Sequence, residues 1–192
     1  TSPPHPDWLW CAHCGRTSAA ATGGGLSDTI TLRAATMADA EAISALVTPL
    51  ARYLRDPDTG SQAHAFNATL TPESFAERLA DPSFTHFVAE DDGAIVGMIA
   101  MRDGSHLHHL FVSRTSLRRG IARQLWVQAL RQFGRREYTV NSSVIAVPVY
   151  EKFGFVAKLP PQTVKGVRFV PMVRPRMVNT ASGDGKATAP AG

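Results

Sequence analysis

Residues 106–126, HLHHLFVSRTSLRRGIARQLW, combine two kinds of side chain that can do chemistry. Three histidines interrupt an apolar run, and arginines surround a single glycine in the turn that follows. Imidazole titrates close to neutral pH, so a histidine here can accept a proton from a reacting group. Arginines beside a glycine at the start of a helix are typical of a site for an anion. We therefore predict a proton acceptor and an anion site within one strand, turn and helix.

The anion site is predicted in SLRRGIARQL, residues 116–125. The first amide N–H groups of a helix have no partner within the helix and carry a partial positive charge, so a diphosphate can bind to the backbone there. Gly120 and Ala122 have little bulk and allow a ligand to approach closely. The segment matches neither GxxxxGK nor GxGxxG. By itself it also fits a helix start with a solvated basic face.

The three histidines are assigned by the alternation of a strand, in which every second residue shares a face. His106 and His108 are predicted to point to one side, as a functional pair. His109 is predicted to point to the other side with Leu107 and Phe111, as a packing residue. A bulge in the strand would exchange these faces.

Composition fits one globular domain: 192 residues, 44% hydrophobic and 19% charged. We predict this domain over 29–175, because the ends at 1–28 and 176–192 are rich in Pro, Gly, Ser, Thr and Ala and are expected to be flexible. The net charge of +4 is modest, and much of it lies around the predicted anion site. The arginines concerned are Arg114, Arg118, Arg119, Arg123, Arg131, Arg135 and Arg136.

The expected compartment is the cytoplasm, without membrane contact. Apolar runs such as AIVGMIAM at 94–101 are far shorter than the roughly 20 residues that cross a bilayer, and no secretory leader opens the chain. Cys11 and Cys14, in one CAHC group, do not make a disulfide framework. They supply only half of a tetrahedral zinc site, so no bound metal is expected.

The elements that position these residues follow from hydrophobic periodicity and turn signals. Thr36 is predicted to cap a first helix that kinks or ends at Pro49, and a second helix runs from Thr71 to Asp81. Between them, 52–70 is a long polar connection of the kind that carries specificity. The apolar face of the first helix is formed by Ala40, Ile43, Val47 and Leu50.

The rest of the pattern predicts antiparallel hairpins that feed a strand, helix, strand crossover. The strands are expected at 84–90, 94–102, 105–113 and 137–141, the helices at 119–133 and 144–153, and a closing hairpin between 155–159 and 167–174. This order indicates a mixed α/β fold.

Two segments resemble the GNAT superfamily of acyl-CoA-dependent N-acetyltransferases. One is LFV at 110–112 followed by LRRGIA at 117–122, similar to the family's Q/R-x-x-G-x-G/A after a strand that ends in valine. Leu117 stands where the family usually has Gln or Arg. The other is VNSSVIAVPVYEKFGF at 140–155, in which an Asn ends a strand and a helix with A-x-x-x-Y-x-x-x-G-F follows. The resemblance implies a splayed, mostly antiparallel sheet of about seven strands flanked by about four helices.

The resemblance also implies direct transfer of an acetyl group from acetyl-CoA to an amine. The backbone of Leu110, Phe111 and Val112 would face the thioester and pantetheine, and Asn141 would contact the pantetheine or the amine side. Tyr150 would protonate the departing thiolate. The amides that would hold the diphosphate run through Arg118, Arg119, Gly120, Ile121, Ala122 and Arg123.

For the base, the family position six residues before the strand's final valine corresponds to His106. The pattern HLHxLxV at 106–112 also resembles arylalkylamine-type members, in which histidines of this strand pass the proton through water. His106 and His108 therefore both stay candidates, and Glu90, at the end of an earlier strand, is an outside candidate.

Three functional hypotheses result. The first is acetylation of the primary amine of a small molecule, and homodimers are frequent in the family. The second is acetylation of a macromolecular amine, such as a protein N-terminus, a lysine or an aminoacyl-tRNA, although the diphosphate of coenzyme A already accounts for the basic cluster and makes a nucleic-acid partner unnecessary. The third is a non-catalytic acyl-CoA sensor or nucleic-acid module with a zinc knuckle at 8–16.

Overall fold

The computed structural model describes residues 30–51, 68–164 and 167–176. The predicted extension at 1–28 with its cysteine pair, most of the 52–70 connection and nearly all of the tail after 176 lie outside these residues. Within them, the first strand begins at Thr31 and the last ends at Arg174. The predicted domain limits stay a prediction.

The described strands form one mixed sheet of eight, one more than expected. They are β1 (Thr31–Ala34), β2 (Phe84–Asp91), β3 (Ala94–Arg102), β4 (His106–Val112), β5 (Tyr138–Ser142), β6 (Val156–Ala157), β7 (Gln162–Val164) and β8 (Val167–Arg174). Their order is β1-β2-β3-β4-β5-β8-β6, with β7 paired to β8. Only the β4–β5 pair is parallel among the described pairs.

The α-helices of the described residues lie where the hydrophobic pattern predicts them. They are α1 (Ala40–Ala51), α2 (Pro72–Ala80), α3 (Ile121–Phe133) and α4 (Val147–Lys152), and short 3₁₀ turns cover Met37–Asp39, Ala68–Leu70, Arg114–Ser116 and Val144–Ala146. No helix in these ranges is long and apolar enough to span a membrane.

Helices cover both faces of the sheet because its strands alternate between two apolar cores. On one face, α1 and α2 pack through Ile43 and Phe75 against Val88 of β2. On the other, α3 and α4 pack through Leu125 and Tyr150 against neighbouring sheet residues. Phe75, Leu125 and Tyr150 are fully buried, and burial of one such side chain contributes about 1.5–3 kcal/mol.

An ionic network fixes the start of α1 on the sheet. The Asp39 carboxylate accepts hydrogen bonds from the Thr36 N–H at 2.6 Å and from Nη1 and Nη2 of Arg33, each at 2.8 Å. Arg33 also donates to Glu90 of β2. The hydrogen bonds from Arg33 hold the pKa of Asp39 well below its usual range. The predicted helix start at Thr36 is confirmed, and β1, β2 and α1 are tied together there.

The first helix does not end at Pro49, because that proline lies inside α1, which continues to Ala51. Pro49 is on the exposed side of the last described turn. There its ring and its missing N–H do not disturb the buried face formed by Val47 and Leu50.

The closing hairpin is more complex than expected. Val156 and Ala157 do pair with β8, as the prediction had it. An additional short strand, Gln162–Val164, lies between them in sequence and pairs with the start of β8. The sequence prediction missed it because three residues are too few to show a period of two.

Gly97 allows α3 to approach the sheet closely. A Cβ atom built on Gly97 would lie 2.9 Å from Cγ2 of Ile121 and 3.2 Å from Cδ1 of Leu125, both on α3. Contacts this short would force the helix outward. Gly97 therefore sets the height at which the first turn of α3 stands over the sheet.

Candidate active site

The sheet opens between β4 and β5. These strands pair only at His106–Thr139 and Leu107–Val140 and then diverge. From residue 108 onward, β4 pairs with none of the described strands on its β5 side. We call the space between 108–112 of β4 and the end of β5 the β4–β5 gap. The splay expected for the sheet is confirmed here.

Main-chain groups of both strands point into this gap. Ser113 N–H donates to the Val96 carbonyl at 2.7 Å, so the ladder with β3 uses Ser113 and, by alternation, Phe111. Leu110 and Val112 consequently direct their N–H and C=O groups into the gap. The expectation that the Phe111 backbone faces the same way is wrong, because Phe111 is in the hydrogen-bonding phase that pairs with β3.

Asn141 faces the gap from the opposite strand. Thr139 N–H donates to the Ser105 carbonyl at 3.0 Å, which orients that residue toward β4. Asn141 lies two residues further along β5 and shares this orientation, beyond the last paired residue of the ladder. The Asn141 carbonyl is therefore a hydrogen-bond acceptor that points across the gap, toward the edge of β4 that carries the Leu110 N–H.

A β-bulge in β4 reorganises the histidines. Ala100 of β3 is opposite His109, whereas the next residue, Met101, is opposite Leu107, so His108 is an extra residue in β4. As a result His108 and His109 lie on the same face, with ring centroids 4.2 Å apart. The prediction that His109 points away from His108 with Leu107 is wrong. Leu107 does lie on the opposite face, in the core beneath α3.

His106 lies at the closed end of the gap and is joined to β5. Its Nδ1 is 2.9 Å from the Thr139 hydroxyl oxygen, and its ring centroid is 6.4 Å from that of His108. Burial, with a smaller contribution from Arg102, lowers the pKa of His106 to about 4. The ring is therefore neutral at pH 7, and it remains partly exposed.

The structure adds His86 of β2 to the three histidines of β4, and we call these four residues the histidine cluster. His86 lies opposite Ala100 in the sheet, which in turn lies opposite His109, so the cluster spans three strands. Phe84 links His86 and His108, with centroid distances of 5.8 and 5.0 Å. Sequence reasoning missed His86, although a polar residue on the buried phase of an apolar strand is a usable signal.

The histidine cluster should make folding stability sensitive to acid. Burial lowers the pKa of His86 to about 4 and holds those of His108 and His109 well below normal. In the unfolded chain each ring titrates near 6.5, so the unfolded state binds more protons than the native state below that pH. The free energy of unfolding is therefore highest above pH 6.5 and decreases as the pH drops toward 4. Protonation linked to His86 alone lowers it by about 3 kcal/mol over this range.

Urea unfolding at pH 7, 6 and 5 tests this expectation. We expect the unfolding free energy to decrease at each step, and His86→Leu to decrease less steeply than the original chain. A free energy that stays constant from pH 7 to pH 5 would contradict the assignment of neutral, buried rings.

The turn between β4 and α3 forms an open backbone cradle, residues 117–123. Arg118 and Gly120 have left-handed backbones, with φ of 67° and 75°, and Gly120 is the N-cap of α3. A Cβ at Gly120 would meet no atom within 4 Å. The first helical bond is Gln124 N–H to the Gly120 carbonyl, so the amides of 121–123 have no acceptor inside the helix. Left-handed backbone, open space and outward N–H groups together suit a diphosphate.

Basic side chains border this cradle. Arg118 and Arg123 are exposed, and Arg119 forms a short ion pair with Asp91 at the end of β2. The hydrogen bond from Arg119 lowers the pKa of Asp91. Asp91 thus links the cradle to the second strand of the sheet, and Ala122 packs its methyl group toward the core.

Two other predicted site residues, Tyr150 and Glu90, lie in different parts of the fold. Tyr150 is fully buried on the α3 side of the sheet, where its ring packs against Phe153 and Phe155 at 6.3 and 5.5 Å, in the same core as Leu107. Glu90 accepts hydrogen bonds from Arg33, and β3 separates its strand from the gap. This ion pair makes Glu90 a poor candidate for the base.

Comparison with known proteins agrees with this geometry. Residues 54–175 match the model of the acetyltransferase (GNAT) domain. The fold is similar to a GCN5-related N-acetyltransferase from Rhodopseudomonas palustris, with 22% identity, a TM-score of 0.64, and 80% of this chain and 99% of that chain covered. It is also similar to PaiA N-acetyltransferase from Thermoplasma acidophilum in complex with coenzyme A, with 14% identity, a TM-score of 0.63 and coverage of 77% and 99%.

A third similar structure is a chimera of spermidine N-acetyltransferase SpeG from Vibrio cholerae, with 18% identity, a TM-score of 0.53 and coverage of 75% and 93%. No curated protein matches the sequence. The family model covers more than half of the chain. The chain therefore belongs to the GNAT family and is an N-acetyltransferase.

Proposed function

We propose that this enzyme transfers an acetyl group from acetyl-CoA directly to the primary amine of a small molecule. One observation carries the proposal: the β4–β5 gap and the open cradle at residues 117–123 lie at the two ends of one short segment, 108–123. A ligand with an extended amide arm and a diphosphate fits both at once.

Acetyl-CoA supplies the acetyl group, as a thioester, when it is bound. The pantetheine arm would pair with the main chain of Leu110 and Val112 on one side and with the Asn141 carbonyl on the other. A main-chain N–H in the gap polarises the thioester carbonyl, because the donor is already oriented before the ligand arrives. The diphosphate would be held by the backbone at Arg118, Arg119, Gly120, Ile121, Ala122 and Arg123.

Two histidines handle the proton of the amine. His108 lies at the bulge, where β4 leaves β5, and we assign it as the group that accepts the proton when the amine nitrogen bonds to the acetyl carbon. His106 is partly exposed and is assigned as the next acceptor toward solvent. A separation of 6.4 Å between the two rings leaves room for one bridging water.

Tyr150 is assigned to the leaving group. Its phenol would donate the proton that the coenzyme A sulfur gains as the carbon–sulfur bond breaks. Tyr150 belongs to the same core as Leu107 and Leu110. This placement on the face opposite the histidines supports entry of the amine from the α1–α2 side.

A small acceptor is supported by the burial of the site and by one comparison. His108 and His109 are 7% and 2% exposed, which suits a small acceptor better than a macromolecular surface. A similar structure is a spermidine N-acetyltransferase, whose substrate is a small amine.

A binding and a turnover experiment test the proposal. Acetyl-CoA is expected to raise the melting temperature by several degrees at about 100 times its dissociation constant, because ligand binding adds about 2.7 kcal/mol there. Coenzyme A release, measured by chromatography across a panel of primary amines, is expected for at least one of them. Absence of a thermal shift with acetyl-CoA and other short acyl-CoAs would refute the proposal.

A further inference from the structure

Arg78 of α2 is a mostly buried cation that forms no ion pair in the described part of the chain, where exposed Glu77, its neighbour in sequence, is the one carboxylate that acts on its pKa. Its Nη2 donates to the Thr69 carbonyl at 2.6 Å, and its guanidinium carbon lies 4.5 Å above the Phe75 ring. Its Nε is buried and has no hydrogen-bond partner. Buried arginines are normally paired with a carboxylate, because an unpaired buried charge is costly.

Like Arg78, the histidine cluster has buried nitrogens without a hydrogen-bond partner in the described part of the chain. Nε2 of His86 and Nδ1 of His108 and His109 are likewise buried without a partner among the described residues. Phe75 connects the two groups, because its ring lies 6.0 Å from that of His109. Each of these atoms would cost free energy unless a ligand or water satisfied it.

The charges that act on the histidine cluster favour an anion. Arg78 lowers the pKa values of His86, His108 and His109, and Arg102 lowers that of His106. The single carboxylate that acts on the cluster within the described ranges is Asp103, which is 67% exposed and lies 3.6 Å from Arg102. A polycationic acceptor would find no buried carboxylate acting on the histidine cluster in the part of the chain that the structure describes.

No metal ion explains this arrangement. In the described ranges no three His, Cys, Asp or Glu side chains have a geometry that holds one. Arg78 would moreover repel a cation.

We propose that the acceptor amine carries a carboxylate, and that Arg78 binds this group while the amine lies at His108. The inference rests on the proposed function, since it names the acceptor of that site. A guanidinium pairs with a carboxylate through two parallel hydrogen bonds, and the Nε–H of Arg78 has no other acceptor among the described residues. Phe75 and Phe84 would flank the carbon skeleton between the two ends.

Matched pairs of amines test the substrate class. ω-Amino acids with two to six carbons are compared with alkylamines of the same length, and spermidine and an aminoalkyl phosphate are added. We expect kcat/KM to be about 10- to 100-fold higher for the best amino acid than for its alkylamine, since a hydrogen bond to a charged group contributes that much. Equal values within each pair, or a preference for spermidine or the phosphate, would overturn the inference.

Arg78→Met tests the residue, with Arg168→Met as the matched control, since Arg168 is an exposed arginine of β8 outside the basic cluster. We expect Arg78→Met to remove the preference for the amino acid and to change kcat/KM for the alkylamine by less than about threefold, whereas the control keeps the preference. Should Arg78→Met fold poorly, Arg78→Lys retains the charge but loses the planar fork, and a reduced preference is expected. A preference that survives both changes would overturn the role of Arg78.

A binding measurement separates this inference from the proposed function. 4-Phenylbutyrate, an anion without an amine, is expected to raise the melting temperature of the original chain and of Arg168→Met but not of Arg78→Met. The proposed function fails if acetyl-CoA gives no shift, whatever the carboxylate does. The carboxylate site fails if acetyl-CoA binds and 4-phenylbutyrate gives no shift that depends on Arg78.

Discussion

Replacement of Gly120 by aspartate is expected to lower the affinity for acetyl-CoA by about 100-fold or more while the domain stays folded. Aspartate tolerates the left-handed backbone found at Gly120, where φ is 75°, and it is a favoured helix N-cap. Its side chain would enter open space, because no atom lies within 4 Å of a Cβ built there. The loss of affinity therefore comes from a carboxylate placed where the diphosphate binds, and like charges in contact cost several kcal/mol.

Two further variants identify the cause. In Gly120→Asn the new side chain has nearly the same size as aspartate but no charge, and the affinity for acetyl-CoA is expected to fall by about tenfold. Gly93→Asp is the matched control for backbone strain, since Gly93 has φ of 78° and open space but lies in the β2–β3 turn. Calorimetric titration with acetyl-CoA measures each affinity. Unchanged binding by Gly120→Asp would show that the cradle does not hold the diphosphate.

His108→Gln is expected to lower kcat by about 100- to 1,000-fold, the range found when a general base is removed. Glutamine approximates the length of imidazole and can still donate and accept hydrogen bonds, but it cannot take a proton at neutral pH. Because the cosubstrate would be held by the main chain of Leu110 and Val112 and by the cradle, and not by the His108 side chain, KM for acetyl-CoA should change little. Steady-state kinetics with a saturating amine give both values.

The neighbouring rings provide the controls. His109→Gln alters a ring 4.2 Å from that of His108 and equally buried, so it should affect stability while kcat falls by no more than about threefold. His106→Gln is expected to lower kcat by about tenfold, because water can partly replace this ring in passing the proton to solvent. If His106→Gln lost more activity than His108→Gln, the order of the two proton acceptors would be reversed.

Most of the fold could be predicted because the chain obeys its local signals. Thr36 and Thr71 cap helices, Gly134 ends α3, and the buried positions of α1 recur with helical spacing. These features depend on residues close together in sequence. The short strand at Gln162–Val164 is set instead by its pairing with β8, which sequence periodicity does not report.

The site could be predicted in part, and the error in the histidine faces has one physical origin. Prediction of faces assumes strict alternation, and the extra residue at His108 breaks it. Two adjacent polar residues, His108 and His109, in an otherwise apolar strand were the available sign. Arg78 was missed although it lies three residues after Phe75, on the same side of a helix whose apolar stripe faces the sheet.

The gap between β4 and β5 has a mechanical consequence. Among the described strands, main-chain hydrogen bonds join the two halves of the sheet only beside His106 and Leu107, and the shared core under α3 carries the rest of the connection. A bound pantetheine would hydrogen-bond to both strands and so connect the two halves of the sheet across the gap. Cosubstrate binding should therefore make the whole molecule more rigid. Amide hydrogens of β5 far from the cradle should then exchange more slowly with solvent.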